Sequence, residues 1–139
     1  MNLINKIFFL VIFSFFATSF IVDDDCEEIK KKPIEKNWKL ICILSKEKKR
    51  ISWPKKDHHL EFRKDSLVKL SLDINVCNGL YHELDSNRIL INVKDCSIQC
   101  CDGFTALNFA DAFPDTFFYK LTVDSLELNS TRYSILMKI

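Results

Sequence analysis

The chain has 139 residues, with 20 Lys and Arg against 19 Asp and Glu, a formal net charge of +1. That is the length of one domain. A near-neutral balance gives no electrostatic footprint for nucleic acid. With only two glycines, Gly79 and Gly103, the chain has no phosphate-cradling loop.

Residues 1–19 read as a secretory signal peptide. Lys6 forms the positive n-region, Ile7 to Phe16 (IFFLVIFSFF) the apolar core, and Ala17-Thr18-Ser19 the small-residue cleavage site. Cleavage is expected after Ser19. As a membrane anchor the apolar run would be short, so no transmembrane span is expected in the mature chain. Lys6 leaves with the signal, and the mature charges then balance. The expected destination is secreted or periplasmic. Lipidation at Cys26 is disfavoured, because Asp23-Asp24-Asp25 precede it where small and apolar residues are required.

All six cysteines lie beyond the signal: Cys26, Cys42, Cys77, Cys96, Cys100 and Cys101. An even count in an exported chain reads as a disulfide framework. Sequence alone does not choose among the pairings.

Residues 20–35 turn from acidic to basic and reach Pro33, which reads as a leader or linker. A β-domain over 36–139 follows. Trp38 to Leu44 (WKLICIL) is a nearly continuous apolar strand, expected to be central or buried on both faces. Lys46 to Arg50 is a charged turn or edge guard, and Trp53-Pro54 breaks the ladder. Leu60 and Phe62 share one face of a short strand. From Leu67 to Val76, the residues Val68, Leu70, Leu72, Ile74 and Val76 alternate with polar ones, predicting one long strand with these five facing the core. Cys77-Asn78-Gly79 reads as its turn, with Leu80 to Leu84 as the hairpin partner.

Arg88 to Val93 is another strand, and Cys96 to Cys101 a short continuation. Phe104, Leu107, Phe109, Ala110 and Phe113 suit a short amphipathic helix that Pro114 ends. Phe117–Leu121, Leu126–Leu128 and Tyr133–Met137 read as closing strands. The fold class is therefore mainly β: a small antiparallel barrel of about seven to nine strands with one short helix. A sandwich is the second choice.

Candidate chemistry is sparse. His58 and His59 beside Asp57 and Glu61, with His82 further on, have the side chains of a zinc site. Strand neighbours face opposite sides, however, so Asp57 and His59 share a face that His58 does not. Surface histidines near a turn are the preferred reading. Cys96-x-x-x-Cys100-Cys101 lacks the spacing of a redox motif. Nothing in the spacing places a base beside a nucleophile. No catalytic residue, metal or cofactor is expected. Asn129-Ser130-Thr131 matches a glycosylation sequon. Phe104, Phe109, Phe113 and Phe118 belong to a dense aromatic stretch, expected as core or as the lining of a hydrophobic cavity.

The order of these motifs resembles the META domain family, small exported β-domains with one bacterial branch linked to heat shock and antibiotic tolerance. The resemblance covers 36–139. It rests on Trp38-Lys39-Leu40, Leu60-Glu61-Phe62, Cys77-Asn78-Gly79-Leu80-Tyr81, the strand Ile89–Val93 leading to Cys100 or Cys101, the helix Asn108–Phe113, Tyr119-Lys120-Leu121 and Leu126-Glu127-Leu128. Here no spacer separates Cys77-Asn78 from the Gly and Tyr, and Ser97-Ile98-Gln99 stands where a Thr is common. Lipocalin-like small barrels share the opening motif. The resemblance implies a disulfide from Cys77 to Cys100 or Cys101, and a non-enzymatic exported domain binding a protein or envelope component. The alternative is a lipocalin-like carrier of a small hydrophobic ligand.

Overall fold

A computed structural model describes residues 34–99 and 101–139. The signal peptide expected at 1–19, most of the expected leader, Cys26 and Cys100 lie outside the described residues. Among the described residues there are nine strands: β1 (Asn37–Ser45), β2 (Arg50–Ser52), β3 (His59–Phe62), β4 (Leu67–Ser71), β5 (Val76–Glu83), β6 (Arg88–Cys96), β7 (Asp115–Leu121), β8 (Ser125–Asn129) and β9 (Tyr133–Lys138). Among the described residues there is one α-helix, α1 (Phe104–Asp111), between β6 and β7, and a short 3-10 turn at Lys64–Ser66.

Strands β3 to β9 pair in sequence order, and β1 pairs with both β3 and β9. That closes eight antiparallel strands into a barrel. β2 is an additional strand on the second half of β1, where Leu44 faces Ile51 and Ser45 faces Arg50. The expected small barrel with one short helix is the observed fold. Closure pairs the edges that an open sheet would leave exposed.

The continuous apolar run in β1 has a geometric cause. Trp38 and Leu40 point inward, and a bulge between Leu40 and Cys42 then inserts one residue against β9. After it, Ile43 and Ser45 point inward instead. Of the two expectations for this strand, the central one holds, since β1 is paired along both edges, but burial on both faces does not: Ile41, Cys42 and Leu44 lie on the outer side and are half-buried. A bulge shifts the inward set by one, so an apolar run without alternation is what the pattern must show.

The long strand expected at Leu67–Val76 is two strands. β4 ends at Ser71, residues 72–75 turn, and β5 starts at Val76, with Ser71 opposite Val76 and Leu70 opposite Cys77. Even-numbered residues point inward in β4 and odd-numbered ones in β5. Val68, Leu70 and Leu72 reach the core as expected, but Val76 is only half-buried and Ile74 is 42% exposed. Cys77-Asn78-Gly79 is accordingly strand rather than turn. Opposite it β6 carries a bulge, with Cys77 facing Cys96 and Gly79 facing Val93. The β6 backbone comes close there. A Cβ on Gly79 would overlap the backbone oxygen of Asn92 and lie 2.7 Å from the Cα of Val93.

The cross-strand register also corrects the disulfide. Cys77 bonds to Cys96, its direct neighbour across the β5–β6 ladder, with Cα atoms 3.9 Å apart. It is paired with neither Cys100 nor Cys101. β6 runs on to Cys96 and ends there, so residues 97–99 leave the sheet instead of continuing it.

The barrel interior is filled. Trp38, Tyr81, Phe109, Phe117, Leu60, Leu70, Ile89 and Ile91 are all buried, and Ile34 joins them from before β1. The Trp38 indole N–H donates to the Ile34 carbonyl at 3.1 Å. Each buried aliphatic or Phe side chain contributes about 1.5–3 kcal/mol relative to exposure. Among the described residues, no helix is long and apolar enough to cross a membrane.

Candidate functional site

The loops at one end of the barrel are the β1–β2 turn, the 53–58 connection, the 72–75 turn, the long β6–β7 connection with α1, and the β8–β9 turn. α1 lies across this mouth. Its buried face is Ala106, Phe109 and, beyond the last turn, Phe113, at intervals of three and four. The Phe109, Phe113 and Phe117 rings run in series, with centroids 5.6 and 5.5 Å apart. The aromatic stretch therefore divides. Phe109 and Phe113 are core, whereas Phe104 is 49% exposed and Phe118 57% exposed. Phe118 points away from the interior because it neighbours the inward Phe117 on β7. Leu107, expected on the apolar face, is 56% exposed on the outer side of α1.

Both ends of α1 are tied down. At its start the Gly103 N–H donates to Asp73 Oδ2 at 2.7 Å. A Cβ at Gly103 would stand 2.8 Å from that oxygen, so the bare residue lets the carboxylate approach. At its finish Arg132 donates to the Asp111 carbonyl at 3.1 Å, meeting a carbonyl the helix leaves unpaired. The Tyr133 hydroxyl donates to Asp111 Oδ2 at 2.5 Å. Burial, then the hydrogen bond and negative charge of Asp111, push the Tyr133 phenol up to about 12.

Asn75 ties the 72–75 turn to residues 97, 99 and 102. Its amide nitrogen donates to the Gln99 carbonyl at 2.7 Å and to Asp102 Oδ2 at 2.6 Å. Its oxygen accepts from the Ser97 hydroxyl at 3.0 Å and the Gln99 N–H at 2.9 Å. All four hydrogen bonds of a buried amide are thus made. Asp102 Oδ1 accepts from the Ile74 N–H at 2.9 Å. Burial raises the Asp102 pKa, but the donors from Asn75 and Ile74 outweigh it and hold the carboxyl below its ordinary value.

Between these anchors lies a pocket of about 270 Å³, lined by Lys55, Lys56, His58, Asp73, Gly103, Phe104, Thr105 and Ala106. His58 forms its inner side. The sequence suggested a surface histidine, yet His58 is 1% exposed. Its carbonyl accepts from the Leu40 N–H at 2.9 Å, and its ring stacks over Phe109 at 6.4 Å. It stands two residues before Leu60 on the same inward face, so strand alternation carried one step beyond β3 places it in the core. Its Nδ1 has no hydrogen-bond partner and lies 3.6 Å from Asp73 Oδ1.

Above the pocket, Trp53 is 64% exposed. The Thr105 hydroxyl donates to its carbonyl at 3.4 Å, placing it beside α1. The Arg50 guanidinium lies 4.9 Å and the Lys48 ammonium 6.0 Å from the Phe104 ring centre. An apolar rim of Trp53, Phe104 and Leu107 is therefore flanked by basic side chains.

The remaining predicted residues do not join this site. Asp57 pairs with Lys39 at 2.6 Å, and no cluster of three metal-type ligands occurs among the described residues. Cys42 is unpaired on the outer face of β1, and burial pushes its thiol pKa up. Asp73, Asn75, Asp102 and Trp53 were not singled out by the sequence as site residues. The polar positions inside the apolar run 68–76 were the available signal.

No protein-family model matches the chain, and no curated protein matches it significantly. A solved NMR structure, described only as that of a protein, superposes with a TM-score of 0.53 at 15% identity, over 77% of this chain and 93% of its own length. The likeness is one of fold.

Proposed function

We propose that this chain is an exported, non-enzymatic binding domain, META-like and disulfide-stabilised, that acts outside the cytoplasm and holds a protein or envelope component at the α1 end of the barrel. The observation that carries this reading is the contrast between a filled interior and an exposed rim. Phe109 and Phe113 pack into the core, while Trp53, Phe104 and Leu107 stand in solvent beside four basic side chains. Exposed aromatics bordered by polar groups characterise interaction surfaces. The alternative, a lipocalin-like carrier of a small hydrophobic ligand, draws support only from the barrel itself.

The test compares the mature protein with a Trp53→Ala/Phe104→Ala/Leu107→Ala variant as bait in the envelope and medium of its source. A partner held by the parent and lost by the variant is expected. Equal retention by both would overturn the assignment of this face. Native mass spectrometry of the purified protein should show no retained hydrophobic ligand; one that survives purification would favour the carrier.

A further inference from the structure

We propose that the pocket beneath the rim receives a single carboxylate from an acidic segment of the bound protein, with an apolar neighbour of that acid resting on Phe104 and Trp53. This rests on the binding-domain reading and specifies what the site recognises.

Three independent features converge on a negatively charged oxygen group. The first turn of α1 leaves backbone N–H groups without intrahelical partners, and the helix start carries partial positive charge. Asp73 takes the N–H of Gly103. Phe104, Thr105 and Ala106 are the next residues, and all three line the pocket. The second feature is Lys55 and Lys56, exposed side chains on the opposite wall. The third is His58, whose ring is buried in the pocket wall with Nδ1 unpartnered. Buried polar atoms without partners are rare in folded proteins. At 3.6 Å, Asp73 Oδ1 is beyond a sound hydrogen bond. A ligand oxygen reaching Nδ1 would satisfy the imidazole.

Charge and size choose among anions. Two lysines against one aspartate leave one net positive charge among these three side chains, supplemented by the helix start. A monoanion balances this. A phosphate dianion would bring a second negative charge towards Asp73, so a carboxylate fits better. A volume of about 270 Å³ suits one amino-acid side chain rather than a lipid tail or an extended cofactor. Outside the pocket, Lys48 and Arg50 extend the positive field along the path that an acidic segment would take.

The test is an NMR titration of the mature, oxidised chain with acetyl-Phe-Asp-amide, acetyl-Phe-Asn-amide and inorganic phosphate. The aspartyl peptide should shift the amides of Phe104–Ala106 and the His58 ring, and bind at least about tenfold more tightly than the asparaginyl peptide. The double variant Lys55→Gln/Lys56→Gln changes only exposed side chains and should stay folded while losing at least about tenfold in affinity. Equal binding of the two peptides, shifts confined to another face, no binding, or tighter binding of phosphate would each overturn the proposal. Failure here is separable from failure of the binding-domain reading. If the lysine variant captures the partner as the parent does, while the rim variant does not, the pocket is wrong and the face is right.

Discussion

Asn75 donates from its side chain to Asp102 at 2.6 Å, across a sequence separation of 27 residues, and so binds the β4–β5 turn to the loop that launches α1. The same turn supplies Asp73, which accepts from the N–H of Gly103, the residue just before the helix. The position of α1 over the barrel, and the shape of the pocket beside it, therefore depend on two residues from the polar face of what reads from the sequence as one long alternating strand.

Replacing Asn75 with Ala should cost about 3 kcal/mol, because Asp102, Ser97 and Gln99 would lose a buried shared partner. Denaturant midpoints measure the loss. Unchanged stability would mean that water replaces the amide without penalty.

Acid should loosen the same contact. Asp102 titrates below its ordinary value of 3.8 in the folded protein. A depressed carboxyl contributes stability above its unfolded pKa and loses it as pH falls through the folded one. Stability should thus decline below about pH 4, and Asp102→Asn should decline less steeply over that interval. Parallel acid titrations of both proteins would show whether Asp102 is responsible.

Alkali acts with the opposite sign. The phenols of Tyr133 and Tyr81 are both pushed up to about 12, chiefly by burial. A raised pKa gives stability that is complete below the unfolded value near 10 and lost as pH rises towards 12. Absorbance at about 295 nm should show Tyr81 and Tyr133 ionising late or only on unfolding. Tyr133→Phe should remove one of those late steps.

The split of the 67–76 run into two strands makes opposite predictions for neighbouring residues. Leu70→Asp would place an unpaired charge in the core and should unfold the barrel. Ile74→Asp lies at an exposed turn and should change stability by only about 0.5 kcal/mol. A soluble, cooperatively folded Leu70→Asp protein would contradict the inward register of β4.

Peptide mapping without reduction should yield a linked pair containing Cys77 and Cys96. Replacing both with Ala should cost about 2–4 kcal/mol and leave a folded barrel, since the core is extensive. A Cys77 peptide joined to Cys100 or Cys101 would refute the register of β5 against β6.

Much of the architecture was legible because strand alternation is a local property. Leu60 and Phe62, Ile89 and Ile91, and Leu126 and Leu128 each show an inward pair separated by one residue, and each is buried. The failures arise where parity changes. A four-residue turn between Ser71 and Val76 preserves the even spacing of apolar residues while reversing which of them face inward. The β1 bulge likewise makes a one-sided strand look two-sided. The site was less legible for a different reason. His58, Asp73 and Gly103 come from three separate connections, and only barrel closure and the placement of α1 bring them together. The disulfide was missed because cross-strand register depends on a β6 bulge that neither spacing nor the family resemblance contains.

The seam between β1 and β9 has a kinetic consequence. Lys39 pairs with Lys138 and Ser45 with Tyr133, so the first barrel strand finds its second neighbour only in the last. Closing so long a loop is entropically costly and slow compared with the hairpins between successive strands. During synthesis the chain can form hairpins, but it cannot complete the barrel until Tyr133–Lys138 have emerged. Until then β1 keeps one edge without its final partner. For a chain exported as proposed, this delay would keep it in a threadable state through translocation and defer commitment to the native barrel until arrival.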